Sequence, residues 1–216
     1  RGAAPGGGGL VEFSCPVMKE LTSIYIVEMG LIKRVRGLAS ATRLSPSVLS
    51  RVVEAARAPL NLYLPDVYIH TDHSSGRGGE REREREKGGS PGYSLSLVAE
   101  STTGVLLSVE RTAAQSEVPE DIGREGAILL LDEIRAGGVI DRSHQSLILF
   151  LMCLGPEDIS KIRIGSELTS QAILTLRLLQ EAFGVTFKIK QDNMTNTVLL
   201  SCLGVGYKNM SRKIAS

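Results

Sequence analysis

The chain has 216 residues, a formal net charge of +1 and a hydrophobic fraction of 42%. These values allow one large globular domain or two small ones, and the near-neutral charge argues against a strongly electrostatic nucleic-acid binder. The longest apolar run, 147–154, is far shorter than the roughly 20 residues of a membrane helix, so we expect no membrane association. Three widely spaced cysteines indicate neither a disulfide framework nor a zinc site, and they fit an intracellular protein.

The first half of the chain predicts one helix among several strands. Ser45 and Pro46 are typical of a helix cap and of the first helical residue. Apolar residues then recur at helical spacing from Val48 to Ala56, and Pro59 ends or kinks the helix. The predicted strands of this half are 10–15, 24–27, 33–44, 67–71, 94–100 and 105–110.

The second half alternates helices and strands. A helix with an acidic first turn begins at Pro119 and stops at Gly137. Asp141 or Ser143 caps the next helix, which is apolar on nearly all sides over 147–154 and is therefore predicted to be buried. A third helix, 170–183, is predicted to turn four apolar side chains inward, namely Ile173, Leu174, Leu178 and Phe183. Strands are predicted at 159–164, 185–190 and 197–204.

A charged tract, GGEREREREKGG, occupies 78–89. Its four acids and four bases alternate, so it carries no net charge and does not resemble a basic RNA-binding tract. We interpret it as a solvated, glycine-bounded insertion.

Four stretches resemble, in order, the RNA 3'-terminal phosphate cyclase family. GGGGLVEFSCP at 6–16 looks like a glycine-rich turn and strand of these enzymes, and KRVRGLA at 33–39 resembles the first strand of their inserted domain. SPGYSLSLVAE at 90–100 and PEDIGR at 119–124 are closer to one branch, the cyclase-like proteins of eukaryotic ribosome assembly. The order of the matches, which cover nearly the whole chain, makes the resemblance specific.

This resemblance implies an α/β (α+β) fold, in which repeated βαβαβ-type units carry a smaller inserted α/β domain. It places residues 1–30 at the end of one large-domain repeat, 31–112 in the insert, and 113–216 in the final repeat. The tract at 78–89 would be an addition, because the family crosses there with a short turn. Family members also have a further N-terminal half, so we expect the chain to be a fragment.

The resemblance also bears on the chemistry. In the cyclases a histidine is adenylated by ATP and the AMP then passes to an RNA 3'-phosphate; Gln171 occupies that position here, with Leu174 and Thr175 in place of the Thr-Asn that follows. The amide nitrogen of Gln171 has a delocalised lone pair and cannot form the phosphoramidate that an imidazole forms. His144 and Gln145 stand where the enzymes have Asp-Gln. We therefore interpret Gln171, His144 and Gln145 as a vestigial pocket.

The remaining candidates are weaker. His70 and His73 flank a carboxylate and are spaced as a pair of metal ligands, but no third ligand is evident, and we predict neither a metal nor a cofactor. His144 suits a surface or capping role better than a catalytic one. Two groups of cations are candidates for contacts with RNA or a partner: Lys161 and Arg163 on one strand face, and Lys33, Arg34 and Arg36.

The branch implies a non-catalytic scaffold in early pre-rRNA processing and small-subunit (40S) ribosome biogenesis. Its expected location is the nucleus, in the nucleolus, and its expected partners are a GTPase of the small-subunit processome and the pre-rRNA ribonucleoprotein. Two alternatives remain open at this stage. One is an ATP-dependent RNA 3'-terminal phosphate cyclase with a displaced nucleophile, and the other is cleavage of pre-rRNA by the protein itself, for which no residues here give support.

Overall fold

A computed structural model describes residues 13–16, 18–74 and 91–210. The chain divides into two compact units, one over Ile32–Asp132 and the other over Ser14–Leu31 with Glu133–Ser216. Each unit contains a four-stranded mixed sheet and α-helices. The predicted α/β fold class is confirmed. The insertion predicted at 78–89 lies outside the described residues.

The first unit is built on a sheet of strand order β3-β2-β4-β5. The strands β2 and β3 are parallel, whereas β4 is antiparallel to both β2 and β5. Because parallel neighbours need a crossover, helix α1 connects β2 to β3. The elements of this unit are β2 (Ile32–Thr42), α1 (Pro46–Leu60), β3 (Val67–Ser74), β4 (Gly92–Ser101), β5 (Leu106–Thr112) and the greater part of α2 (Pro119–Ala136).

The core of the first unit lies between the sheet and its helices. Ser45 caps α1 through its side chain, as predicted, and Pro59 lies within the last turn of that helix. The side chains that are fully buried are aliphatic, in agreement with a chain that has no Trp and few aromatic residues. They include Leu49, Leu60, Leu95, Leu97, Leu107, Ile122 and Leu130.

The second unit has a sheet of strand order β1-β6-β8-β7. The strands β1 and β6 are parallel, and β8 is antiparallel to both of its neighbours. A short 3-10 helix, Arg142–His144, precedes α3. The elements of this unit are β1 (Tyr25–Ile26), α3 (Gln145–Leu154), β6 (Ile159–Ile164), α4 (Ser170–Phe183), β7 (Lys188–Asp192) and β8 (Thr197–Leu203).

Helix α2 runs across the division between the two units, which falls after Asp132. The insert predicted from the resemblance ends at residue 112, before this helix begins. The described residues of α2 show why the helix belongs with the first sheet: Gly126 lies under the side chain of Leu95, and Gly123 lies against the backbone of α1 at Val52. The assignment of the two units to the repeats of a larger fold stays a prediction.

The structure differs from the predictions for one strand and for the burial of two helices. Of the predicted strand 10–15, the described residues have no regular structure, and Phe13 and Cys15 are exposed. Cys153 and Cys202 are buried, and burial raises the pKa of Cys202 to about 11. Helix α3 is buried only on the side of Leu149, Met152 and Cys153, because it packs against α4 and β8 while Leu147 and Phe150 stay exposed.

The apolar stripe predicted for α4 faces outward rather than inward. Ala172 and Leu179 are the buried residues of this helix, whereas Leu174 and Leu178 are each more than 60% exposed. On α3, Leu147 and Phe150 are also exposed, and the Phe150 ring meets Phe183 edge-on with 6.5 Å between the ring centroids. Leu174 and Leu178 are four residues apart and lie on one side of α4, opposite Ala172 and Leu179. This helix therefore carries an exposed apolar pair, Leu174 and Leu178, which we call the α4 patch.

We expect the α4 patch to make the isolated chain associate, because neighbouring exposed apolar side chains favour contact with another protein surface over contact with water. Light scattering should detect oligomers or aggregates, and a hydrophobic dye should bind. The double substitution Leu174→Ser with Leu178→Ser should reduce both signals, and co-expression with the N-terminal half expected from the family resemblance should abolish them. The same change at Leu62, which is also highly exposed but lies in the first unit, is the control. A monodisperse wild-type chain that binds no dye would contradict this expectation.

No helix in the described part of the chain combines the length and the hydropathy required to cross a membrane.

Candidate functional site

Gln171 lies in the first turn of α4. The helix begins after Thr169, whose hydroxyl oxygen accepts a hydrogen bond from the backbone N–H of Ala172 at 3.1 Å. Gln171 is exposed at the second helical position, and its backbone oxygen accepts a hydrogen bond from the Thr175 hydroxyl at 2.9 Å. This threonine cap sets the start of the helix, so the segment that carries Gln171 has a defined backbone.

Gln145 fixes the turn that leads into that helix. Its side-chain Oε1 accepts a hydrogen bond from the Thr169 backbone N–H at 2.9 Å, and its Nε2 donates to the backbone oxygen of Glu167 at 3.1 Å. Gln145 is the first residue of α3 and is buried, with 1% of its surface exposed. The two helix starts are therefore joined by one amide, and the position predicted as part of a vestigial pocket has a structural role.

His144 contributes to the cap of the 3-10 helix before α3. The carboxylate of Asp141, which is buried, accepts hydrogen bonds from the His144 backbone N–H and from the Ser143 hydroxyl. The His144 ring nitrogen Nδ1 lies 2.7 Å from the same carboxylate oxygen. This arrangement is the capping role that the sequence indicated, with Asp141 as the cap. His144 and Gln145 are adjacent in the chain, but His144 contacts the cap of the 3-10 helix, whereas Gln145 binds the backbone of the turn before α4.

The chemistry available at the start of α4 is limited by its side chains. The first turn contains hydroxyl and amide groups and no acidic residue. A primary amide can donate and accept hydrogen bonds, but it is neither a nucleophile nor a general base near neutral pH. The Gln171 side chain can thus form hydrogen bonds but cannot serve as the nucleophile of a covalent mechanism.

The histidine pair on β3 does not form a metal site. His70 and His73 are three residues apart on a strand, so their side chains point to opposite faces of the sheet. The His73 ring nitrogen Nε2 lies 2.6 Å from the Leu44 backbone oxygen, and the His70 ring packs edge-on against Tyr68. Over the described residues there is no group of three or more His, Cys, Asp or Glu side chains that could hold a metal ion.

The cations of β2 are engaged within the first unit. Arg34 Nε donates to the Glu100 carboxylate. Arg36 forms a bidentate salt bridge with Asp66, in which both nitrogen–oxygen distances are 2.8 Å. The hydrogen bond from Arg36 lowers the pKa of Asp66, and the one from Arg34 lowers the pKa of Glu100. Lys33 is exposed. The prediction that these residues contact RNA or a partner is untested, and two of the three already have acidic partners.

Lys161 and Arg163 project from the same side of β6, as the alternation of the strand predicted. Arg163 is held by the chain itself, because it donates to the Val27 backbone oxygen, to Asp192 and to two threonine hydroxyls. The hydrogen bond from Arg163, followed by the one from the Thr195 hydroxyl, lowers the pKa of Asp192 to about 2. The ammonium of Lys161 lies over the Tyr25 ring, 5.9 Å from its centroid. A partner role for the pair stays a prediction.

Three further residues on the same side of this sheet were not identified from the sequence. They are Lys188, Lys190 and Tyr25, and Tyr25 is paired with Lys161. Lys188 and Lys190 on β7 are aligned with Ser201 and Leu199 of β8, which are in turn aligned with Lys161 and Arg163 of β6. The alternation Lys-Ile-Lys at 188–190 was the available signal, but it gives no information about which strand lies alongside.

Comparison with known proteins places these features in a family. The model of the RNA 3'-terminal phosphate cyclase insert domain matches residues 27–135, about half of the chain and nearly the span of the first compact unit. A probable RNA 3'-terminal phosphate cyclase-like protein of Dictyostelium discoideum is 47% identical over 98% of the chain and 59% of its own length.

Two further relatives are similar over the same span. The RNA 3'-terminal phosphate cyclase-like protein of Homo sapiens is 43% identical over 99% of the chain and 58% of its own length. A Schizosaccharomyces pombe protein named rRNA processing protein rcl1 is 43% identical over 99% of the chain and 57% of its own length. The chain thus spans somewhat more than half the length of these relatives. On the insert-domain match and these identities, the chain belongs to the RNA 3'-terminal phosphate cyclase family, and the relatives named here are its cyclase-like and rRNA-processing members.

Proposed function

We propose that the protein is a non-catalytic member of this family that acts in rRNA processing, at the early steps that produce the small (40S) ribosomal subunit. The similarity to a fission-yeast protein named for rRNA processing supports the coarser part of this proposal. Within the proposal, the protein works in the nucleolus as part of the small-subunit processome. Its partners there are a processome GTPase and the pre-rRNA ribonucleoprotein.

The observation that carries the proposal is the glutamine at the start of α4. A cyclase mechanism of the kind the family resemblance implies requires a nitrogen lone pair at this position to attack the α-phosphate of ATP. The Gln171 amide does not supply one, and its neighbour Gln145 is occupied with the backbone of 167–169. The Gln145 side chain therefore holds the turn before α4, and the Gln171 side chain is exposed to solvent.

The alternative function is an ATP-dependent RNA 3'-terminal phosphate cyclase. The match to the cyclase insert domain favours it, since the same scaffold supports that reaction in the enzymes. It would require a nucleophile other than Gln171. In the described part of the chain, His73 and His144 are bonded to a backbone carbonyl and to a carboxylate, respectively, and His70 packs on Tyr68.

The proposal can be tested by depleting the protein in the cells that carry it and measuring rRNA precursors by hybridisation. We expect mature small-subunit rRNA to fall several-fold and its precursors to accumulate, while large-subunit rRNA is maintained. Re-expression of the wild type should restore processing, and so should Gln171→Ala, because the exposed Gln171 side chain performs no chemistry in this proposal.

Two results would count against the proposal. If the levels of rRNA precursors do not change after depletion, the protein does not act in rRNA processing. Rescue by the wild type but not by Gln171→Ala would show that the amide takes part in the activity, and the protein would then not be a passive scaffold at this position.

A further inference from the structure

The sheet of the second unit has two unlike faces. On one face, the side chains of Ser160, Ile162, Ile164, Leu200 and Cys202 are buried, and helix α3 packs against β8. On the opposite face, the alternate residues of the same strands are half-buried or exposed, apart from Thr197, which is buried and accepts a hydrogen bond from Arg163. Because successive side chains of a strand point to opposite faces, the second set forms one continuous surface.

This open surface is rich in cations. The register brings Lys161 and Arg163 of β6 and Lys188 and Lys190 of β7 to the same side, with only β8 between the two strands. Among the strand residues on this side, the one carboxylate is Asp192, and it is bonded to Arg163 at 2.8 Å. The three lysines are thus left with positive charge that no neighbouring strand residue neutralises.

An aromatic ring extends the cationic surface at its edge. Tyr25 of β1 is paired with Lys161 in the parallel register, and its ring is 65% exposed. The Lys161 ammonium lies near the ring face, 5.9 Å from the centroid. We name Tyr25, Lys161, Arg163, Lys188 and Lys190 the basic face.

We propose that the basic face binds single-stranded RNA, with Lys161, Lys188 and Lys190 on successive phosphates and Tyr25 stacked on a base. The combination of a cationic track and an exposed ring is the one that single-stranded nucleic acids bind, since phosphates carry the charge and every base has a flat face. An acidic protein segment would use the lysines but gains nothing comparable from the ring. Arg163 acts as a positioning residue, because it neutralises Asp192 and anchors β6 to 192–197. The proposal rests on the proposed function in rRNA processing, which supplies the RNA.

The test is fluorescence anisotropy of the full-length protein with a labelled single-stranded oligouridylate at several salt concentrations. For the triple variant Lys161→Ala, Lys188→Ala and Lys190→Ala we expect at least tenfold weaker binding. The slope of log affinity against log salt should also become shallower by about 2, since each lost phosphate contact on a single strand contributes about 0.7. Tyr25→Ala should weaken binding about tenfold with an unchanged salt slope, and Tyr25→Phe should bind like the wild type.

A matched control removes the same charge elsewhere: Lys19, Arg124 and Arg177 are exposed and lie off the basic face. This control should retain RNA affinity within about twofold. Equal binding by the wild type and the lysine triple variant would overturn the proposal, as would binding of an acidic peptide in place of the oligouridylate. Either result would leave the depletion phenotype intact, so failure of the RNA-binding proposal is distinguishable from failure of the role in rRNA processing.

Discussion

Replacing Gln145 by leucine is expected to lower the free energy of unfolding by about 2 kcal/mol. The substitution keeps a side chain of similar size, but it removes the oxygen that accepts from the Thr169 N–H and the nitrogen that donates to the Glu167 oxygen. Two backbone groups then lose their partners, and a buried group without a partner costs about 1–3 kcal/mol. Because Glu167 is exposed, water recovers part of that loss. Urea denaturation of wild type and variant measures the difference.

Gln171→Leu is the matched control for this measurement. Gln171 belongs to the same helix start and is exposed, so the change should stay within about 0.5 kcal/mol. Equal effects at the two glutamines would show that Gln145 does not join the starts of α3 and α4. The two variants thus separate the effect of a buried structural amide from that of the exposed residue at the position where the family resemblance implies a nucleophile.

Replacing Gly123 by alanine is expected to destabilise the first unit by about 2 kcal/mol. The added methyl group would lie 2.3 Å from the Val52 backbone oxygen and 2.9 Å from the Ala55 side chain. Both belong to α1, whose backbone cannot yield locally, so the helices have to move apart. Overpacking of this kind costs about 1–3 kcal/mol, and the better helix propensity of alanine returns at most about 1 kcal/mol.

Gly126→Ala, three residues further along the same helix, is the control. Its methyl group would lie 2.9 Å from a terminal methyl carbon of Leu95, the far end of a flexible side chain. The gain in helix propensity should offset that contact, so stability should change by less than about 1 kcal/mol. Thermal unfolding followed by circular dichroism compares the two variants. A Gly126→Ala protein that is less stable than Gly123→Ala would contradict the close approach of α1 and α2.

Local signals in the sequence were sufficient to predict where most helices begin and end. Ser45 and Pro46 start α1 as predicted, Gly137 ends α2 with a positive φ of 72°, and Gly184 ends α4 with a φ of 69°. Caps and glycine stops depend on the backbone of a few neighbouring residues, so a sequence read without a structure can find them. This is why the helices agree with prediction to within a residue or two.

Burial was less predictable, because it depends on neighbours that are distant in the chain. Apolar residues do recur along α4, but Leu174 and Leu178 are exposed. The buried residues of this helix are Ala172 and Leu179. Periodicity shows that an apolar side exists, and it does not show which element covers that side. The histidines of β3 give a second example. Two residues three apart can bind one metal ion together on a helix or in a turn, but on a strand their side chains point to opposite faces.

The structural roles of the predicted site residues could be predicted only in part. The resemblance pointed to Gln171, His144 and Gln145, and the structure brings Gln145 to the turn before α4. The two hydrogen bonds of Gln145 and the cap formed by Asp141 could not be predicted, because each depends on side-chain geometry. The alignment of Lys188 and Lys190 with Lys161 likewise depends on β8, which lies between them in the sheet and follows both in the chain.

Incubation of the protein with ATP labelled at the α-phosphate tests the central claim most directly. With glutamine at position 171 no phosphoramidate can form there, so we expect no label to remain on the protein after denaturation, while an active RNA 3'-phosphate cyclase assayed in parallel retains it. Gln171→His alone should also stay unlabelled, since Leu174 and Thr175 and the pair His144-Gln145 still differ from the enzymes. A covalent, acid-labile AMP adduct on the wild-type protein would contradict the account and identify the protein as an enzyme.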